Sequence, residues 1–293
     1  NSILSVTEDV VPDNRRDISR REFIRLGIAG GALLFLPQLP SSAVAQEYKG
    51  KPINGMMLAR LLGSDALPDP FDFIFCADVH IPFDDRGVFK KIISAANDLK
   101  VKFVLIGGDT VQVGNPANFT LLQRELKKFN MPVICAMGNH DTAFEDYADQ
   151  REWTVRFGAS CYKFDLPGVR FIALNNANHI LSDADYDLLE ESLETDLKKV
   201  VFMHRPANFL NVRYDTPMRD DAGRFRSLIE KGGATAVLTG HEHHHAVYKI
   251  NGVTHIVSGG AGGRLTPDIE NNFHHFMLIS AGKNTFDYRV EKI

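Results

Sequence analysis

The chain has 293 residues, 44% of them hydrophobic and 24% charged, and a formal net charge of −4. That composition suits a soluble globular protein long enough for one large α/β domain, and the acidic balance argues against a nucleic-acid-binding footprint. Three cysteines are too few for a disulfide scaffold. Cys76 and Cys135 lie in apolar runs and read as buried thiols, whereas Cys161 fits either a free or a paired state.

The first 45 residues carry Ser19-Arg20-Arg21-Glu22-Phe23-Ile24-Arg25, a mildly apolar Gly/Ala-rich run, Pro37, Pro40 and the triplet Ala43-Val44-Ala45. A basic region, an apolar stretch and an A-x-A end describe a cleavable export signal. The paired arginines resemble the twin-arginine type. An amphipathic helix with an incidental Arg-Arg is the plainer alternative. The prolines and weak hydrophobicity argue against a spanning helix, which needs about 20 apolar residues. Cleavage is expected near Gln46, followed by a linker over 46–70 and a domain over 71–293. The expected location is periplasmic or secreted, with the twin-arginine machinery as a transient partner and no permanent membrane anchor. The first residue, Asn1, is not a start methionine, so a start upstream is expected.

Past "ALPDP" the pattern becomes regular. Strands are predicted at 71–77, 102–108 and 131–137, each followed by a helical pattern, at 86–100, 116–129 (Pro116 at its start) and 142–157. Residues 160–176 read as a hairpin about Pro167-Gly168. A helix over 182–198 opens on a Ser or Asp cap. Strand 199–204, helix 221–232 and strand 234–240 follow. The tail, 246–293, reads as strands without helices. Strands alternating with helices predict parallel pairing with both faces covered. The all-β tail predicts a second, partly antiparallel sheet packed on the first, with helices outside.

Polar residues directly follow five predicted strands. They are Asp78-Val79-His80, Asp109, Gly138-Asn139-His140-Asp141, His204, and Gly240-His241-Glu242-His243. Ligand sites in open α/β sheets lie at such carboxyl ends. A lone D-x-H is common by chance, a strand-end Asp often caps a turn, and a lone His is usually a core or surface residue. The ordered joint pattern is much harder to obtain from those alternatives.

These blocks resemble the calcineurin-like metallophosphoesterases, whose hallmarks are D-x-H, G-D, G-N-H-D/E, a lone strand-end His and G-H-x-H. The resemblance covers roughly residues 71–265. It implies an α/β fold of two packed mixed sheets flanked by helices, a four-layer α/β/β/α sandwich. It implies one metal held by Asp78, His80, Asp109 and His243, and another held by Asp109, Asn139, His204 and His241. Mixed N and O ligands suit Zn²⁺, Mn²⁺ or Fe. It also implies attack on a phosphodiester or phosphomonoester by a metal-bridging hydroxide. His140 would serve the leaving oxygen and Asp141 would orient its ring, although Asp141 also fits an N-cap of the 142–157 helix. Export of a folded chain suits an enzyme that acquires metal before translocation.

Departures from the family pattern narrow this. Gln112 stands where purple acid phosphatases carry tyrosine, which argues against an iron–tyrosinate centre. Arg205 stands where many members carry a second histidine, and it reads as a phosphate contact or a surface residue. Arg264, His179 and His245 are the other candidate substrate contacts. On an extended segment His241 and His243 would share one face, with His244 opposite. His255, His274 and His275 are assigned no role. The expected partner is a small phosphate ester. The alternative is a catalytically impaired member that acts as a metal-binding module.

Overall fold

The computed structural model describes residues 50–63, 67–143, 148–207, 210, 218, 222–267, 269 and 272–293. The export-signal segment, 1–45, lies outside them. The expected linker does not hold throughout, because Ile53–Leu62 forms helix α1. Pro52 and Gly63 bracket it, and Ile53 and Leu61, two turns apart, are buried. Asn54 anchors it: its amide donates to the Cys135 carbonyl at 2.8 Å and accepts from the Cys135 N–H at 3.0 Å.

Strands β1 (Phe71–Cys76), β2 (Phe103–Gly107) and β3 (Val133–Ala136) pair in parallel. Helices α2 (Val88–Leu99) and α3 (Pro116–Leu126) connect them. Asn115 caps α3 by accepting from the Asn118 N–H at 2.9 Å. Among the described residues β3 has no further strand partner in the sheet, and α1 satisfies part of that edge through Asn54. The helix predicted over 142–157 is shorter, α4 (Arg151–Phe157). Residues 139–141 instead form a 3-10 turn. Asp141 is therefore not the cap of α4, because its carboxylate is spent on other backbone donors described below.

The hairpin is β4 (Tyr162–Leu166) and β5 (Val169–Ala173). Helix α5 (Asp183–Leu193) leads to β6 (Lys198–Phe202), and α6 (Ala222–Lys231) leads to β7 (Ala236–Thr239). α5 ends earlier than predicted, at Leu193, and its cap is Ser182, which accepts from the Asp185 N–H at 3.2 Å. The tail supplies β8 (His245–Ile250), β9 (Val253–Ser258), β10 (His275–Ala281) and β11 (Phe286–Lys292).

The tail does not make its own sheet. The orders are β11-β10-β1-β2-β3 and β4-β5-β6-β7-β9-β8. Each sheet is thus mixed: the first has antiparallel strands at one margin, beside parallel β1-β2-β3, and the second at both margins of a parallel centre. The alternation of β1 shows how the layers arise. Phe71, Phe73 and Phe75 face the second sheet and pack with Phe103, Phe171 and Phe202. Ile74 and Cys76 face the opposite way, with Phe89, Ile92, Phe119 and Trp153. The outer face of the second sheet packs Val201 and Val237 on Tyr186, Leu189, Phe225 and Ile229. Two packed mixed sheets flanked by helices result, as expected. Cys76, Cys135 and Cys161 are free. Among the described residues no helix is long and apolar enough to cross a membrane.

Two tail histidines set an acid limit on this fold. Burial pushes His255 and His275 down from 6.5 to about 4. Both rings are neutral in the fold at pH 7, while the unfolded chain takes up protons below about 6.5. Their contribution is complete above 6.5 and is lost as pH falls through 4, by up to about 3 kcal/mol each. The melting temperature should therefore drop between pH 6.5 and 4. His275→Asn, which can still donate to the Phe273 carbonyl, should flatten that slope. An unchanged slope would contradict this account.

Candidate metal centre

The residues that follow β1, β2, β3, β6 and β7 converge, although those strands belong to two sheets. The convergence depends on backbone bends. Asp78, His80, Asp109, His241 and His243 have φ of 64°, 55°, 50°, 70° and 46°. Left-handed backbone costs a non-glycine residue about 1–3 kcal/mol, and such strain collects at functional sites. The shared-face argument for His241 and His243 is thereby corrected: the two occupy a left-handed bend before β8, not an extended strand. His244 packs inward, 7% exposed.

Two motif glycines are there because of space. A Cβ on Gly108 would lie 2.6 Å from His204 Nδ1, and φ is +95°. A Cβ on Gly138 would lie 2.2 Å from the Asp109 N and 2.3 Å from its Oδ1. Gly138→Ala should therefore lower stability by about 1–3 kcal/mol and displace Asp109. Calorimetric melting checks the first effect and metal affinity the second.

Two groups of ligand atoms form, each within 4.8 Å: Asp78, His80, Asp109 and His243, then Asp109, His204 and His241. Asp109 belongs to both. Its Oδ2 is 3.5 Å from His80 Nε2 and 3.2 Å from His204 Nε2. Asn139 joins the second group, with Oδ1 3.1 Å from His204 Nε2. Asp78 Oδ1 is 3.3 Å from His243 Nε2 and 3.8 Å from His80 Nε2. That oxygen is buried and has no hydrogen-bond partner.

A cation fits these atoms. Three rings have Nδ1 facing an acceptor: His80 faces Gln112 Oε1 at 3.1 Å, His204 the Gly107 carbonyl at 2.9 Å and His243 the Arg264 carbonyl at 2.6 Å. Each Nδ1–H is thereby spoken for, and each Nε2 lone pair is turned inward, the arrangement that orients metal-ligating histidines. The inward nitrogens of His80 and His243 are 3.1 Å apart. Burial opposes charge on Asp78, but His243 and His80 hold its carboxyl far below the usual range. Burial also opposes charge on His243, yet Asp78 raises it to about 9.

His140 lines a cavity of about 1000 Å³ together with His80, Gln112, His243 and Arg264. Its N–H donates to Asp109 Oδ1 at 2.8 Å, and its Nδ1 donates to the Gln112 carbonyl at 2.8 Å. The expectation that Asp141 orients this ring is corrected. Asp141 lies beneath it, accepting from the Thr110 N–H and hydroxyl at 2.9 and 2.6 Å, from Val111 N–H at 3.1 Å and from Gly138 N–H at 2.8 Å. It ties the Asp109 loop to the Asn139 loop. Burial and the Asp109 charge push its carboxyl up to about 7.

Arg205 is not a surface residue; it is 1% exposed, and its Nη1 is 2.8 Å from His241 Nε2. Arg264 is exposed and lines the cavity. His179 and His245 do not line it. His245 instead packs on His275, with ring centroids 5.2 Å apart. His274, assigned no role from sequence, does line it. Gln112 and Asn176 are positioning residues the sequence did not reveal. Asn176 accepts from the N–H groups of His204 and Arg205 at 3.2 and 3.0 Å and donates to the Arg205 carbonyl at 2.7 Å. The signal for Gln112 was its place three residues after Asp109; nothing marked Asn176.

A family model described as "Calcineurin-like phosphoesterase" matches residues 71–245. A protein of Vesicomyosocius okutanii subsp. Calyptogena okutanii (strain HA), named "Probable cyclic nucleotide phosphodiesterase", is 22% identical over 236 residues, covering 74% of this chain and 97% of its own. Among solved structures, the purple acid phosphatase from yellow lupin (Lupinus luteus) seeds superposes with TM-score 0.60 at 17% identity, over 76% of this chain and 52% of that one. A dimetal phosphatase from Danio rerio gives TM-score 0.55 at 15% identity, over 75% of this chain and 99% of that one. These two likenesses concern the fold. The chain spans about half the length of the lupin protein.

Proposed function

The chain belongs to the calcineurin-like phosphoesterase family, and from that premise we propose that it hydrolyses phosphate esters at a two-metal centre. The observation that carries this is the pair of ligand groups sharing Asp109. Asp78, His80, Asp109 and His243 would hold one ion, and Asp109, Asn139, His204 and His241 the other, drawn from Mn, Fe or Zn. Bound ions would supply a nucleophile at neutral pH and neutralise phosphoryl oxygens. The ligand set holds only two carboxylates, so two divalent ions would leave about +2 for an anionic substrate.

The chain's own groups complete the chemistry. The Gln112 carbonyl holds His140 by its Nδ1–H, which leaves Nε2 as the nitrogen that would, in the imidazolium form, deliver its proton to the departing oxygen. Phe83, 68% exposed, lines the cavity with Arg264 and gives an organic leaving group an apolar surface. Within this reading a diesterase is favoured over a monoesterase. The relative named as a cyclic nucleotide phosphodiesterase supports that preference, as does Gln112 in the place of the purple-phosphatase tyrosine. The impaired-module alternative is disfavoured because the ligand set and His140 are all present. Metal-loaded protein should be assayed on aryl monoesters, aryl diesters, cyclic nucleotides and glycerophosphodiesters. Turnover greatest on a diester supports the preference. No turnover on any of them sinks the enzymatic reading and leaves the binding module.

Export by the twin-arginine route to the periplasm or beyond is part of the same proposal, supported by Arg20-Arg21 and the A-x-A triplet at 43–45. A reporter fused after Gln46 should be exported by a twin-arginine-competent cell and retained when both arginines become lysine.

A further inference from the structure

We propose that Arg205 opposes filling of the second metal position through His241, so that the centre loads in two unequal steps. The inference rests on the metal-binding reading above. His80, His204 and His243 each place Nδ1 on an oxygen acceptor and turn Nε2 inward. His241 enters the other way round. Its Nδ1 faces His204 Nε2 at 3.2 Å, and its Nε2 meets Arg205 Nη1 at 2.8 Å.

A guanidinium can only donate. His241 Nε2 must therefore accept, and the proton of the neutral ring sits on Nδ1. That is the nitrogen turned towards the shared site, and a nitrogen carrying a proton has no lone pair for a metal. The oxygens behind the other three rings favour ligation; the guanidinium behind His241 favours the tautomer that cannot ligate. For His241 to bind through Nδ1, the Arg205 contact has to break.

Breaking it is resisted. Arg205 is 1% exposed, its Nε donates to the Ala177 carbonyl at 3.1 Å, and Asn176 holds its backbone on both sides. Its charge is permanent, so it stays beside the second position at any working pH. Ligand charge adds to the asymmetry. The first position has the carboxylates of Asp78 and Asp109, whereas the second has only the shared Asp109 beside neutral Asn139. The first ion is held tightly. The second exchanges, and activity follows the free concentration of that ion.

Calorimetric titration of metal-free protein with Mn²⁺ tests this. Wild type should bind one ion tightly and a second at least about tenfold more weakly. Partners behind a ligating histidine change metal affinity about 10–100-fold. Arg205→Met should tighten the second step by a factor in that range and leave the first unchanged. Arg205→Gln, whose oxygen can accept from Nε2–H, should do the same. In a His241→Ala background neither change should move the second step. Circular dichroism checks that each variant is folded, and if neither folds, the two wild-type steps decide. Two equal steps in wild type would overturn the proposal, as would a second step unchanged or weakened in a folded variant. A wild-type chain that binds no Mn²⁺ would instead overturn the metal-binding reading itself.

Discussion

Asp109→Asn is expected to lower kcat/KM at least about 10³-fold, roughly 4 kcal/mol of barrier. The change is nearly isosteric, so the effect isolates charge. Asp109 is the residue common to both ligand groups, with Oδ2 3.2 Å from His204 Nε2 and 3.5 Å from His80 Nε2. Burial opposes its charge, but His204 and His80 keep its carboxyl well below the usual range. An amide there removes one of the two ligating carboxylates and weakens both positions at once. The bound-metal count by elemental analysis should fall with activity. The Asn oxygen can still accept from the His140 N–H, so the fold should survive and circular dichroism should be unchanged. Full activity with full metal content would show that Asp109 is not shared.

His140→Ala should give the complementary result. The expected loss is about 10²–10⁴-fold in kcat, the range for removing one positioned general acid. Metal content should stay at the wild-type level, because the bond to Asp109 Oδ1 comes from the backbone N–H of residue 140 and survives the substitution. KM should move much less than kcat if the ring acts on the leaving oxygen. A substrate with a highly acidic phenol as leaving group should lose least, since it needs no proton. Equal losses across leaving groups would place His140 in substrate binding instead. A parallel loss of metal would place it in the metal centre.

Much of this site is legible in the sequence, and the physical reason is specific. A strand ends where its apolar run ends, so Asp78, Asp109, Asn139, His204 and His241 each announced themselves as polar residues just past a β pattern. The architecture of two sheets followed from the same alternation. The partition of strands did not. Strands β8 and β9 join the second sheet while β10 and β11 join the first, and sequence periodicity is blind to partner choice. Backbone conformation was also hidden. His241 and His243 were expected to share a face of an extended segment, but φ of 70° and 46° puts them in a bend.

Positions that depend on hydrogen bonding between distant segments were the hardest to foresee. Asn54 reads as an ordinary polar residue until it meets Cys135, 81 positions away. Asp141 looked like a helix cap because a helical pattern followed it; the loops of Thr110 and Gly138 claim its oxygens instead. Arg205 looked exposed because arginine usually is. Its burial follows from Asn176 and Ala177, two residues with no metal-ligand chemistry of their own.

The most direct measurement is hydrolysis of an aryl phosphodiester by protein stripped of metal and then titrated with Mn²⁺ or Zn²⁺, with bound metal counted at each point. The account predicts no turnover without metal. It predicts activity that rises as the second ion binds, and no activity in Asp109→Asn at the same metal concentrations. Turnover by the metal-free chain, or a wild-type chain that binds metal and cleaves no phosphate ester, would contradict it.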